Sequence, residues 1–256
     1  MALHHQPKDS QMLRPWISHK LTKLLTPYKK ISKRSHLVRT YQDLQQILQW
    51  EKMPTLEGDH LHEFRNSNDV NNRWIKDALM VAGACANTRG STIVEIGTAH
   101  GHMTYHMAVN APHAQIHTVN LPPEEKDQGG KLITFAPQKS EIGQYFRQHN
   151  IENITQIYAN SLTWQPQLKE IDVAFIDGCH DTDFVYKDTL KILKYAKPGT
   201  VILWHDFAPE HAHRLDWIHA VCQGVENLLA KKLHGNVYHL QDSWVGLYIV
   251  QEKDLA

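Results

Sequence analysis

The chain has 256 residues, of which 41% are hydrophobic and 21% are charged. This length and apolar content fit one globular domain, with or without an extension, and exclude a disordered or fibrous chain. Basic and acidic residues are equal in number, so the formal net charge is zero and overall charge gives no reason to expect nucleic acid as a partner.

The cysteines and the hydropathy pattern indicate the cellular compartment in which the protein is expected. Cys85, Cys179 and Cys222 have no CxxC spacing and cannot all pair within one chain. A reduced, intracellular protein is the simplest interpretation. No apolar run approaches the roughly 18 residues that a membrane span needs, and the first residues are too polar for a secretory signal. We therefore expect a cytoplasmic protein without a transmembrane segment.

The first part of the chain is basic. Between Lys8 and Arg39, Asp9 is the single acidic residue, and apolar residues recur there at helical spacing. Such a helix could contact an anionic membrane surface, or it could pack on the domain or on a second subunit with its charges solvated. Packing is the simpler interpretation, and a homo-oligomer stays open. We assign residues 1–66 to a basic helical extension and residues 67–256 to the main domain.

Helical and strand patterns alternate along the rest of the chain. Helices are predicted at Tyr41–Trp50, from Asp69 onwards, and near Met103–Ala108, Glu141–His149, Asp183–Tyr195 and His213–Lys232. Strands are predicted at Thr92–Ile96, Gln115–Val119, Ile154–Tyr158, Ile171–Ile176, Thr200–Trp204, Asn236–Leu240 and Trp244–Val250. Alternation of this kind predicts a parallel sheet with helices on both faces. The last two strands are too close in sequence for a parallel crossover. The sequence thus predicts an α/β, doubly wound fold with a seven-stranded, mostly parallel sheet and an antiparallel C-terminal hairpin.

A glycine-containing loop follows the first strand of this pattern. The strand Thr92-Ile-Val-Glu-Ile-Gly97 continues into Thr-Ala-His-Gly101, and a helix follows. Open parallel sheets bind ligands at the carboxyl ends of their strands, and glycine lets the backbone approach a ligand closely. The position of the loop therefore predicts a cofactor site there.

From about Trp74 to Val250 the chain resembles the class I S-adenosylmethionine (SAM)-dependent methyltransferases, in its order of strands and helices and in its closing hairpin. The resemblance implies a Rossmann-like methyltransferase fold and SAM as cofactor. It also implies a set of cofactor-binding residues, namely Glu95, Gly97, Thr98, Ala99, His100, Gly101, Asn120, Leu121, Asn160, Ser161 and Asp177. The family usually has acidic residues where Asn120 and Asn160 stand. An amide accepts a hydrogen bond without charge, so weaker SAM binding or a different ligand stays open.

Two further strands end in potential metal ligands. The fourth ends in Phe175-Ile-Asp-Gly-Cys-His180, and the fifth ends in Trp204-His-Asp206. Neighbouring parallel strands would place Asp177, His205 and Asp206 on one rim, and two carboxylates with an imidazole suit a divalent cation. The ordinary alternative is that Asp177 caps the next helix and that His205 is a histidine at a strand end with its hydrogen bonds satisfied.

These motifs are similar to those of the metal-dependent sugar O-methyltransferases of the macrocin and mycinamicin type, and of the rhamnosyl O-methyltransferase and cephalosporin hydroxylase group. Leu121-Pro-Pro-Glu-Glu followed by Gly129-Gly-Lys is also similar to that group. The resemblance implies Mg²⁺ held by Asp177 and an acidic pair, with His180 as general base. Here the pair is His205-Asp206, and because imidazole suits other metals, Mn²⁺ or Fe²⁺ stays open.

The sequence therefore predicts a SAM-dependent, divalent-metal-assisted O-methyltransferase. Its expected acceptor is a hydroxyl group of a small molecule such as a sugar or a glycosylated metabolite. Two alternatives stay open. One is a degenerate methyltransferase fold that acts as a binding or scaffold protein. The other is a different metal-dependent enzyme, since two histidines and a carboxylate can hold iron.

Overall fold

The computed structural model describes residues 34–56, 73–128, 130–133 and 135–256. The helices are α1 (Tyr41–Leu48), α2 (Arg73–Asn87), α3 (His102–Asn110), α4 (Gln144–Gln148), α5 (Thr182–Leu193) and α6 (Asp216–Lys231). The strands are β1 (Ser35–Val38), β2 (Thr92–Ile96), β3 (Gln115–Asn120), β4 (Ile154–Tyr158), β5 (Ile171–Ile176), β6 (Ala196–Trp204), β7 (Val237–Leu240) and β8 (Gly246–Ile249). Two 3₁₀ helices, Pro123–Gln128 and Glu252–Asp254, complete the elements of these residues. The predicted basic helix and the start of the helix predicted from Asp69 lie outside them.

The strands form one mixed sheet in the order β1-β7-β8-β6-β5-β2-β3-β4. Strand β8 is antiparallel to both of its neighbours, β6 and β7, and every other neighbouring pair is parallel. The predicted fold class and its antiparallel C-terminal hairpin are confirmed. β5, near the centre, is buried along its whole length, as expected for a parallel strand covered on both faces.

The described part of the chain has eight strands in this sheet, whereas the sequence predicted seven. The additional strand is β1, which pairs in parallel with β7 at one edge. It lies within the segment that was assigned to a helical extension. Neighbouring Val38 and Tyr41 are buried in the same apolar cluster as the helices of the main domain. The division into residues 1–66 and 67–256 stays a prediction, and residues 34–56 pack on the sheet.

Helices cover both faces of the sheet. On one face, α5 and α6 contribute Ile192 and Val225 to a buried cluster. On the other, α1, α2 and α3 contribute Leu44, Val81 and Met107. The carboxyl ends of β2, β3, β5 and β6 lie on the same rim because these strands run parallel. That rim is where ligands bind in open sheets of this kind.

None of the described helices is long and apolar enough to cross a membrane. All three cysteines are free, as their spacing predicted.

Candidate active site

A cavity of about 540 Å³ opens at this rim. Its volume lies within the range of small-molecule and cofactor sites. Its walls include every site residue that the sequence predicted, namely Glu95, Gly97, Thr98, Ala99, His100, Gly101, Asn120, Leu121, Asn160, Ser161, Asp177, His180, His205 and Asp206. The structure therefore brings the predicted cofactor and metal residues together in one place.

The chain leaves β2 through Gly97, whose φ of 105° is readily adopted by glycine alone. A Cβ at this position would lie 1.9 Å from the backbone oxygen of Asp177. The Asp177 N–H in turn donates to the carbonyl of Ile96 at 2.7 Å. At Gly97, the backbone of the cofactor loop (the loop that follows β2) is thus in direct contact with the backbone of the loop after β5.

The rest of the loop is fixed from two sides. The Ala99 N–H donates to the side-chain oxygen of Asn120 at 3.0 Å. On the other side, the carbonyls of Ala99 and His100 accept from the N–H groups of Gly143 and Tyr145, both at 2.9 Å. Asn120 therefore uses one acceptor position to hold the loop. This contact gives the amide a local role that the sequence did not reveal.

Glu95 lies beneath the loop and is only 1% exposed. Its carboxyl accepts from the hydroxyls of Thr104 and Thr118, both at 2.5 Å. Burial raises the pKa of Glu95 to about 8; the two hydroxyls oppose the rise and the nearby Asp177 adds to it. A carboxyl so held in the cavity wall is an acceptor for a cationic or amine group of a ligand.

The opposite end of the cavity is formed by the loop after β4. The side-chain oxygen of Asn160 accepts from the Leu162 N–H at 3.0 Å. The Ser161 hydroxyl donates to Asp188 on α5 at 3.1 Å. Burial raises the pKa of Asp188 to about 7, against the opposing effects of Ser161 and Lys191. Asn160 and Ser161 therefore also stabilise the loop that forms this wall.

The ends of β5 and β6 carry the predicted metal ligands. Asp177 Oδ1 lies 3.0 Å from His205 Nδ1, which is also 3.8 Å from Asp206 Oδ2. His205 faces the cluster with each ring nitrogen beside a carboxylate, so a metal ligand and a histidine with satisfied hydrogen bonds both stay compatible with its position. Asp206 is 5% exposed and has a φ of 55°, which is unusual for a residue with a side chain. This backbone geometry occurs where the strand ends and the carboxylate enters the cavity.

His180 completes the cluster from the loop before α5. Its Nδ1 lies 2.8 Å from the carbonyl of Leu132, and its Nε2 lies 2.9 Å from Asp206 Oδ2 and 3.9 Å from Asp177 Oδ1. A carbonyl only accepts, so Nδ1 carries a proton and the neutral ring has its lone pair on Nε2. His180 Nε2 and Asp206 Oδ1 are buried and meet no full hydrogen-bond criterion with a partner among the described residues, although Nε2 lies beside Asp206 Oδ2.

The charges in this cluster are strongly coupled. Burial disfavours the imidazolium of His180 and of His205, but the Asp206 and Asp177 carboxylates outweigh it, so both histidines have raised pKa values. Burial would raise the pKa of Asp206, yet His205, His180 and Arg73 hold it below its usual value. The carboxylates of this cluster and its two imidazoles therefore stabilise one another's charged forms.

Three residues of α2 support the cluster. Asp77 is fully buried, and its Oδ2 lies 3.4 Å from His205 Nε2. The Trp74 ring stacks on the His205 ring, with centroids 5.9 Å apart. The Arg73 guanidinium lies 3.6 Å from the centre of the Trp244 ring. Sequence reasoning did not single out these three residues. One sequence feature could have indicated Asp77. It is a charged residue at helical spacing from Val81 and Ala84, and therefore lies on the apolar face of the helix.

Comparison with known proteins relates part of this chain to a family. Residues 94–207 match the sequence model of a family described as a methyltransferase domain. This stretch of the chain is therefore similar to a methyltransferase domain, and the chain has the Rossmann-like methyltransferase fold. This match begins within β2 and ends just beyond Asp206, so it contains the cofactor loop and the histidine–aspartate cluster. No curated protein matches the chain.

Solved structures share the fold of this methyltransferase domain at low sequence identity. The SAH-bound methyltransferase PaMTH1 of Podospora anserina is 13% identical, covers 96% of this chain and 98% of its own, and has a TM-score of 0.52. The O-methyltransferase TomG of Streptomyces achromogenes, bound to SAM, is 13% identical with 77% and 91% covered and a TM-score of 0.51. A provisionally assigned O-methyltransferase of Klebsiella pneumoniae is 18% identical with 94% and 100% covered and a TM-score of 0.50.

The residues of this candidate site fit a divalent cation. Asp177, His180 and His205 each offer a ligand atom within 4.8 Å of the others. Imidazole and carboxylate together suit first-row transition metals as well as Mg²⁺. Two buried polar atoms that lack a hydrogen-bond partner among the described residues, His180 Nε2 and Asp206 Oδ1, lie in or beside this group. A cation is the kind of partner that buried carboxylates require.

Proposed function

We propose that this methyltransferase transfers the methyl group of SAM to a hydroxyl oxygen of a small molecule such as a sugar or a glycosylated metabolite, with the help of a divalent cation. One observation carries the proposal. The cluster of Asp177, His180, His205 and Asp206 lines the same cavity as the cofactor loop. A hydroxyl group held there could meet both the methyl donor and a proton acceptor.

The cofactor would bind between the loop after β2 and the loop after β4. The Glu95 carboxyl is available to the ammonium group of the methionine part, because it lies in the cavity wall below Gly97. Asn120 and Leu121 would lie beside the ribose, and Asn160 and Ser161 would lie towards the adenine. Asn120 already accepts from Ala99, so it has one acceptor position left for a ribose hydroxyl.

We assign the cation to Asp177, His205 and Asp206, with Mg²⁺, Mn²⁺ and Fe²⁺ as candidates. When bound, the cation would orient the acceptor hydroxyl and lower its pKa. The chain's own groups do the rest. His180 presents the Nε2 lone pair to the cavity because the Leu132 carbonyl holds the proton on Nδ1. That lone pair takes the hydroxyl proton as general base.

The transfer itself is an in-line displacement. The acceptor oxygen forms a bond to the methyl carbon, and the carbon–sulfur bond breaks with its electron pair left on sulfur. The products are a methyl ether and S-adenosylhomocysteine, and His180 passes the proton to solvent. Alignment is the main demand of such a reaction. In the proposed site, the contacts of Gly97 and Ala99 fix the loop that would position the methyl donor.

A second candidate is a metal enzyme of another type on the same fold. It is favoured by the set Asp177, His180 and His205, because two histidines and one carboxylate form the facial site of non-haem iron oxygenases. In that enzyme His180 would be a ligand instead of a base. Iron retained on purification together with absent SAM affinity would favour this candidate.

The proposed function is tested by a transfer assay. The purified chain is incubated with methyl-labelled SAM and a panel of free sugars and glycosides, in chelator and then with Mg²⁺ or Mn²⁺. We expect labelled methyl ethers only when the cation is present, and none from Asp177→Asn. Full transfer in chelator would refute the metal role. Label found on nitrogen or carbon of an acceptor would refute O-methylation.

A further inference from the structure

Asp77 is a buried carboxylate that the proposed reaction does not use directly. It lies on α2, outside the loops that follow the strands, and is 0% exposed. Its two oxygens have different partners. Oδ1 accepts from the Trp244 N–H at 2.6 Å and from the Ser243 hydroxyl at 2.8 Å. Oδ2 faces His205 Nε2 at 3.4 Å.

We propose that Asp77 is a positioning residue that fixes the tautomer of His205 in the cation-bound protein, so that Nε2 carries the proton and Nδ1 offers its lone pair to the cation in place of its contact with Asp177. The inference rests on the metal site of the proposed function. A carboxylate only accepts, so the nitrogen that faces Asp77 is the donor. Metal-binding histidines generally donate their second ring nitrogen in this way, and such a partner orients the ring.

The orientation of Asp77 is itself fixed. The Val245 N–H donates to the Ser243 hydroxyl oxygen at 3.0 Å, which leaves the Ser243 proton for Asp77 Oδ1. The Trp244 N–H also points to Oδ1. Two donors therefore require an acceptor at Oδ1, and the other oxygen is left to face His205.

The plane of the His205 ring is held separately. Trp74 stacks on it at an interplanar angle of 27°, and Phe175 meets it edge-on with centroids 6.1 Å apart. These contacts restrict the ring without choosing which nitrogen carries the proton. That choice falls to the groups that face the two nitrogens, Asp77 on one side and Asp177 on the other.

Asp77→Asn tests this role because it changes only one oxygen. The amide oxygen would stay at the Oδ1 position, where Ser243 and Trp244 donate, and the amide NH₂ would then face His205 Nε2. An NH₂ donor there would move the ring proton to Nδ1 and remove the lone pair that faces Asp177. We expect the Kd for Mn²⁺ to rise ~10–100-fold, the usual effect of losing such a partner.

The measurement is a Mn²⁺ titration of the full chain, in which the EPR signal reports the free ion. Asp172→Asn is the matched control, since Asp172 is also a buried carboxylate but bonds Thr92 and Lys197 at the start of β5, at the other end of the strand from Asp177; its Mn²⁺ affinity should stay close to that of the wild type. An unchanged SAM affinity of Asp77→Asn would show that the variant is folded. Wild-type affinity for Mn²⁺ in Asp77→Asn would overturn the inference alone, whereas absence of Mn²⁺ binding by the wild type would overturn the proposed metal site with it.

A second measurement uses the unmodified protein and does not depend on folding of the variant. The ¹⁵N shifts of the His205 ring are recorded in the Zn²⁺-loaded chain and assigned by their loss in His205→Gln. We expect a metal-bound Nδ1 and a protonated Nε2. A metal-bound Nε2, or a ring that does not respond to Zn²⁺, would contradict the role of Asp77.

Discussion

Gly97→Ala should weaken cofactor binding strongly and lower the stability of the fold. Its Cβ would lie 1.9 Å from the backbone oxygen of Asp177, and φ at this position is 105°. Backbone cannot yield as the end of a flexible side chain can, so the two loops must move apart. Overpacking and backbone strain together should destabilise the protein by about 2–5 kcal/mol. If the displaced loop loses about 3 kcal/mol of binding free energy with the cofactor, the Kd for SAM rises ~100-fold.

Gly199→Ala is the matched control for this change. Gly199 also has a positive φ, 91°, but a Cβ there would meet nothing within 4 Å. Gly199→Ala should therefore introduce backbone strain without a steric clash, and its affinity for SAM should be that of the wild type. Thermal unfolding and SAM titration of both variants separate the two effects. Equal SAM affinity in Gly97→Ala and the wild type would mean that the cofactor does not bind at this loop.

His180→Gln should slow methyl transfer far more than it weakens SAM binding. The ring is 5% exposed, and its Nε2 has no hydrogen-bond partner among the described residues. Glutamine can still accept hydrogen bonds, but it does not take up a proton at neutral pH. Loss of a positioned general base costs ~10²–10⁴-fold in rate. Turnover and SAM affinity measured on the same preparation test this split.

His213→Gln, which changes an exposed histidine, should have no effect on either quantity. Mn²⁺ binding distinguishes the two roles that the geometry allows for His180. A base leaves metal affinity nearly unchanged when it is replaced, whereas a ligand lowers it. Normal turnover of His180→Gln would exclude both roles, and a large loss of Mn²⁺ affinity would favour the second candidate function.

Much of the fold could be predicted because its signals are local. β2, β4 and β5 begin and end at the predicted residues, since each is rich in β-branched or aromatic residues, starts after a polar residue, and is followed within two residues by a polar residue or glycine. β1 was missed for the opposite reason. It is four residues long, lies in a basic segment, and exists by pairing with β7, about 200 positions later in the chain. Pairing at that separation leaves no periodic pattern in the short strand.

In the candidate site, too, some features could be predicted from the sequence and others could not. Asp177, His205 and Asp206 could be placed together because parallel neighbours end on one rim. The hydrogen-bond partners of the site's side chains could not be predicted. Leu132 holds His180 through a carbonyl, which every residue has, so no residue type marks it. Asn120 was predicted as a cofactor-binding residue, and its hydrogen bond to Ala99 depends on how closely two loops approach each other.

The central claim is that this chain binds SAM beside a divalent-cation site, and titration calorimetry tests it most directly. The purified, chelator-treated protein is titrated with SAM, then with Mn²⁺ or Mg²⁺, and then with SAM in the presence of the cation. The proposed function predicts micromolar SAM binding and one bound cation, with cation binding lost in Asp177→Asn. No SAM binding under either condition would contradict the account and would point to a scaffold or to an iron enzyme.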